Sequence, residues 1–373
     1  IDVGAKLSGR LGAYTLGLLN TQMGSGQEIG SKNLSVARIA KDIQRESRVG
    51  AIMTYGNPIG SDDNGLAGLD YQYRNSNLFG SEVLVVDAYA MKSFSEDIHS
   101  NDLAYGLSLK LPNDRWNARV SYKEIQQNFN PALGFANRTG IRDYEGRFRF
   151  RTRPENNSLI RTADLETEIA FTTTTDNELE SAHIYATVLK LENHSGDSYE
   201  LWTNWEHERL VLPFEIQPGV TIPIGTYDYY SIWTHLITSG HRPVSIDVTA
   251  KLGGFYNGSI ADVKSILLWR PLKYFYITLE HRVFKIDLPQ GDFEFEINRA
   301  RFNVNITSTL SWTNYIQQES ETHRMTLQSQ VRWIITPGNE LSVTLNHDWA
   351  GDGGSYKSTE SDLFARLVWT HRF

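Results

Sequence analysis

The residues best placed to do chemistry are two rows of opposite charge at a two-residue spacing. Arg147, Arg149, Arg151 and Arg153 alternate with Gly146, Phe148 and Phe150. In the following segment Asp164, Glu166 and Glu168 alternate with Ala163, Leu165, Ile169 and Phe171. On adjacent strands, opposed rows create a transverse field that orients polar solutes along a wall. The same rows can instead pair across the hairpin and stiffen that wall. The sequence leaves both readings open. Ten histidines invite a catalytic or metal-binding role. None sits in a His-x-x-x-His or His-Glu-x-x-His pattern, and no Gly-x-Ser-x-Gly elbow occurs. Asp97, His99 and Ser100 lie close together, as do His194 and Ser195, but a triad is defined by spatial roles. Asp348, Asp352 and the neighbouring glycines suggest a calcium loop, since hard cations want clustered oxygens. Their spacing departs from the twelve-residue loop pattern, so an acidic surface tip is the preferred reading. With no cysteine in the chain, disulfides and thiolate metal sites are excluded. No metal or cofactor is expected, and the residues favour a non-enzymatic protein.

The elements that carry these residues are extended. Odd positions of Met325–Trp333 read Met, Leu, Ser, Val, Trp, and even positions read Thr, Gln, Gln, Arg. Leu341, Val343, Leu345 and Trp349 oppose Ser342, Thr344, Asn346 and Asp348 in the next segment. The last segment sets Leu363, Ala365, Leu367, Trp369 and Phe373 against Asp362, Arg366, Thr370 and Arg372. A two-residue period places alternate side chains on opposite faces of a strand. Polar clusters such as Thr336-Pro337-Gly338-Asn339 supply the hairpin connections. About 21 strand candidates follow one another along the 373 residues, with no linker or composition shift between them. The expectation is a single all-β domain over residues 1–373.

Charge on the polar faces decides between architectures. A sandwich core would bury these charges at high cost, whereas an aqueous lumen accepts them. Outside the stretch Leu210 to Phe214, no apolar run exceeds about four residues, far short of the roughly 20 that a membrane helix needs. The sequence therefore predicts a transmembrane antiparallel β-barrel of about 20–22 strands in a bacterial outer membrane. Connections alternate between short and long; Gln126–Ile141, Leu210–Tyr227 and Trp349–Glu360 are among the long ones. Short periplasmic turns and long extracellular loops put the carboxyl terminus in the periplasm. The odd strand count implies either one hairpin more or fewer than this reading gives or a strand upstream of Ile1. The aromatic residues Trp333, Trp369 and Phe373 are expected at the membrane interface. The terminal aromatic strand resembles the signal read by the barrel-assembly machinery. Leu212, Phe214 and Ile216 lie in an apolar connection that either caps the barrel mouth or docks a protein partner. A net charge of −8 removes the electrostatic basis for nucleic-acid binding. The expected partners are outer-membrane lipid and a protein at the extracellular loops.

Several short stretches resemble one bacterial family: Gly4-Ala5-Lys6-Leu7-Ser8-Gly9-Arg10, Val36-Ala37-Arg38, Phe129-Asn130-Pro131 with Gly134-Phe135, Phe255-Tyr256-Asn257-Gly258, Leu288-Pro289, and Arg332-Trp333-Ile334 leading to Pro337-Gly338-Asn339. The family is an uncharacterised outer-membrane barrel domain that often follows a carbohydrate-binding module of the family-nine type. The resemblance implies such an upstream module and transfers no active site. Three functions follow for testing. They are porin-like passage of polar solutes such as saccharides, a structural anchor for a surface or periplasmic complex, and a barrel-embedded hydrolase.

Overall fold

Strict alternation lets a strand offer one apolar and one polar face, and only a sheet can use both at once. The structure is a computed structural model. It describes residues 1–25, 30–60, 62–96, 98–352 and 355–370, and no helix occurs among them. The strands are β1 (Val3–Leu11), β2 (Tyr14–Met23), β3 (Lys32–Ile43), β4 (Ser47–Tyr55), β5 (Asn64–Leu78), β6 (Glu82–Ser95), β7 (Leu103–Pro112) and β8 (Trp116–Ile125). They continue as β9 (Ile141–Thr152), β10 (Ile160–Thr174), β11 (Leu179–Asn193), β12 (Ser198–Leu210), β13 (Phe214–Gln217), β14 (Val220–Ile222), β15 (Gly225–Ile237) and β16 (Val244–Phe255). The last are β17 (Gly258–Leu272), β18 (Phe275–Asp287), β19 (Phe293–Asn305), β20 (Leu310–Glu319), β21 (Arg324–Thr336), β22 (Asn339–Asp352) and β23 (Ser355–Val368).

Twenty-one of these form one antiparallel sheet, and β13 and β14 form a small hairpin of their own. The strand number falls inside the range read from the sequence. Contacts divide the chain into two units. One holds residues 1–151, 166–185 and 206–209; the other holds residues 152–165, 186–205 and 210–373.

Register fixes the faces. In the first unit Leu107 pairs with Tyr122 and Leu109 with Val120, so these residues share an apolar face with Trp116, Phe148 and Phe150. One residue along, Ser108 meets Ser121 and Ser121 meets Glu145 on the polar face. The second unit repeats the rule: Val331 pairs with Val343, and Gln330 with Thr344. Val343 is 38% exposed while Thr344 is 2% exposed, its hydroxyl taking a bond from Gln330 Nε2. The apolar face is thus the open one, which inverts the usual arrangement of a water-soluble sheet.

One expected loop is not a loop. Strands β22 and β23 run on to Asp352 and from Ser355, so most of Trp349–Glu360 is paired backbone. There Lys357, Ser358 and Thr359 make both faces polar, which removes the hydrophobic period without breaking the hydrogen-bond ladder.

Short turns are held by side chains. Between β11 and β12, Asp197 Oδ1 accepts the Ser239 backbone N–H at 2.8 Å, and Oδ2 accepts Asn193 Nδ2 at 2.8 Å and Arg242 Nη2 at 2.7 Å. The Ser239 amide first, then the Asn193 amide and the Arg242 guanidinium, hold this carboxyl below its ordinary value. A depressed carboxylate stabilises the fold above its unfolded value near 3.9, and that gain is lost as pH falls through the folded value. Asp197→Asn is therefore expected to lower the melting temperature at pH 7. The difference from the parent should begin to shrink as pH falls through about 4 and close only below the depressed folded value, where both side chains are neutral. Melting in detergent across that range checks it; a pH-independent difference would contradict the role.

Candidate functional site

Because register puts polar residues of neighbouring strands side by side, charges on that face meet across the ladder. In the first unit the network begins where Asp42 receives both Arg10 (2.5 Å) and Arg48 (2.8 Å). It continues through Arg38 and Asp70 (2.8 Å) to Asp87, which takes Lys110 and Gln72 at 2.7 Å each. Lys123 meets Asp143 at 2.8 Å, and Thr172 Oγ1 donates to the same carboxylate at 2.7 Å. Part of this face forms a depression of about 390 Å³ lined by Asp87, Lys110, Arg119, Lys123, Asp143 and Glu145 among others. In the second unit Arg282 pairs with Asp262 at 2.5 Å, and Arg299 joins Glu280 and Gln317.

The two charge rows read from the sequence meet at Arg147 and Glu166. Arg147 donates to Glu166 through Nε at 2.6 Å. Glu168 approaches His183 at 3.8 Å, and Arg151 lies 3.7 Å from Asp114 in the turn between β7 and β8. Arg149 has a buried Nε with no hydrogen-bond partner. Arg153 follows the end of β9, and Asp164 is buried near the start of β10. The rows are better described as one segment of a wall-wide network. Asp42, Asp70, Asp87, Asp143 and Glu145 belong to it as much as Glu166 does. Their signal is present in the period-two pattern: Asp42, Asp70 and Asp87 lie on strands where single charges, not a run, mark the polar face, and Asp143 and Glu145 precede the arginine row on β9 itself.

Both long connections fold onto the polar face of their own unit. In the first, Phe129 is buried against Leu66 and Ala104, two residues of that face. Asn64 Nδ2 donates to the Asn130 carbonyl at 3.0 Å, and Asn130 N donates to Ser93 Oγ at 3.0 Å. In the second, Val220 and Ile222 of the β13–β14 hairpin pack on Ile260, Ile286 and Leu288. Of the three residues named for this connection, Ile216 is packed against that cluster. Phe214 stacks obliquely near Tyr256 (6.5 Å), and Leu212 stays 72% exposed. The residues that seat the hairpin, Val220 and Ile222, belong to the same apolar connection.

Aromatic residues mark the ends of the apolar face. Trp116 lies 5.7 Å from Phe148 and 4.4 Å from Phe150 beside the short turns of the first unit. Six residues along the strand, about 20 Å, Tyr122 lies between Tyr105 (6.3 Å) and Tyr144 (5.1 Å). In the second unit Trp269, Trp312 and Trp333 take the same position near short turns, and Trp369 follows β23, 66% exposed. Phe373 and Asp97 lie outside the described residues. The triad reading that used Asp97 therefore has no geometry to support it. Asp348 lies in β22, and no cluster of three potential metal ligands occurs among the described residues.

The chain matches no protein-family model and no curated protein. Its functional reading rests on the geometry alone.

Half-exposed pairs contribute little each, roughly 0.2–1 kcal/mol, and only in the right pairing. A double-mutant cycle of Arg147→Gln with Glu166→Gln should give a coupling in that range. The cycle of Arg149→Gln with Glu168→Gln should give none. Melting of the single and double variants measures both, and the reverse pattern would contradict the register.

Proposed function

We propose that the chain is a transmembrane β-barrel of a bacterial outer membrane through which polar solutes, saccharides among them, pass along a charged wall. One observation carries the reading: exposed apolar side chains occupy one face of the sheet between aromatic rings, while ion pairs occupy the other. Lipid rewards the first face and water the second. A spanning sheet must also satisfy every backbone group, which favours closure of the 21 strands into a barrel. Paired acids and bases along the wall present hydrogen-bonding groups of both signs, suited to neutral polar solutes as well as ions. The alternative is a structural anchor; the seated loops, which cover part of the polar face in each unit, favour it.

Planar-bilayer recording separates these. The pore reading expects steps of conductance from the purified protein. It also expects a shift toward cations when Arg147, Arg149 and Arg151 are all replaced by Gln, since three positive charges leave the wall. A folded protein that never conducts would move the assignment to the anchor, and a conducting one indifferent to the triple change would remove the wall from selectivity.

The membrane part is tested separately. Val343→Arg places a charge on the apolar face at a cost of roughly 2–4 kcal/mol at mid-membrane, whereas Thr344→Arg enters the polar face. The first should impair assembly and the second be tolerated, read from heat-modifiable gel mobility. Equal tolerance would count against insertion in lipid.

A further inference from the structure

Resting on the pore reading, we propose that the connection from Leu210 to Gly225 is a fixed strap that narrows the passage and sets its size limit. It is not a surface loop. Three observations carry this.

The strap lies on the polar face. Ile260 and Ile286 share that face with Asp262 and Arg282, because Ile260 pairs with Ile286 and the charged residues follow at two-residue steps. Ile222 and Ile286 are both 0% exposed, and Leu288 is 3% exposed, so the hairpin is seated and not merely nearby. Gly291 permits the approach: a Cβ there would come within 3.1 Å of Val220 Cγ2.

The strap spans several strands. Its root packs against an aromatic group in which Tyr227 and Tyr229 lie 5.3 and 5.7 Å from Tyr256. Its middle covers the ends of β17 and β18, in a cluster that Phe293 at the start of β19 also packs against. Its tip is fastened beyond β20, where Gln217 Nε2 donates to Glu321 Oε1 at 2.7 Å. A connection joining two strands would need none of this reach.

The tip is built to hold its shape. Gly219 adopts φ +85°, a left-handed conformation that favours glycine, and its N–H is accepted by Glu215 Oε1 at 2.9 Å. The outer edge of the hairpin carries exposed Glu215 and Pro218 and half-buried Gln217, with exposed Glu321 beside it. A solute travelling along this wall meets that polar lip, then the Asp262–Arg282 and Glu280–Arg299 pairs. The class it admits is compact and hydrogen-bonding; bulky apolar or extended solutes are held back by the lip.

The chain has no cysteine, so single sites can be labelled cleanly. Two variants are compared with the parent in planar bilayers and in liposome swelling with sugars of increasing size. In one, residues 213–223 are replaced by a short Gly-Ser turn. In the other, Pro218→Cys is recorded before and after a bulky methanethiosulfonate reagent. The expected result is a rise in conductance of roughly twofold or more and a larger size limit for the first, and a loss of current on labelling for the second. A conducting parent with neither effect would overturn the strap while leaving the pore. A silent parent whose strap-deleted form conducts would overturn the pore reading and keep the strap as a full plug. Silence of both, in protein that retains heat-modifiable mobility, would overturn both. If the deletion fails to fold, Pro218→Cys decides alone: a current insensitive to labelling places the tip away from the path.

Discussion

Register is the constraint on which everything else in this molecule depends. A slip of one residue in any pairing would send a strand's apolar set to the polar face and its charges to the other. Here the penalty would be paired: Leu107, Leu109 and Val120 would meet charges, and Lys110, Arg119 and Asp143 would lose their partners. The ion pairs are individually weak, yet each is formed only in one register. Their contribution is to make the correct alignment unique, more than to make it strong.

The same constraint explains how much could be read in advance. Val343 and Thr344 were assigned to opposite faces correctly because the period of two is a property of the strand alone. Pairing partners are a property of two strands and their offset, which the sequence does not print. Glu168 therefore faces His183 and not an arginine, and Arg151 also comes near Asp114 on the preceding hairpin. Near Lys357 and Ser358 the period vanished because both faces are polar, although the ladder continued. The strap was visible as an apolar connection, but its seat was not. Ile260 and Ile286 lie far downstream and look like ordinary members of their strands.

Packing and passage compete for the same face. Phe129 in one unit and Ile222 in the other each seat an apolar anchor on an apolar patch of the otherwise charged face. Such anchors cost wettable wall and gain fixed loops, whose remaining surface is then free to carry amides and carboxylates. A wall of ion pairs with seated loops can discriminate by shape as well as by charge, which a bare wall cannot.

The strap also imposes an order of events on folding. Gln217 and Glu321 are 104 residues apart, and every element of the seat, from Ile260 to Phe293, is made after the strap itself. Closing such a distant contact is slow relative to forming the neighbouring hairpins. Until β17, β18 and β19 are paired, Val220 and Ile222 have nowhere to go. The nascent chain must carry an exposed apolar hairpin through much of its assembly, and docking of that hairpin becomes a late step by which the finished wall is distinguished from a partial one.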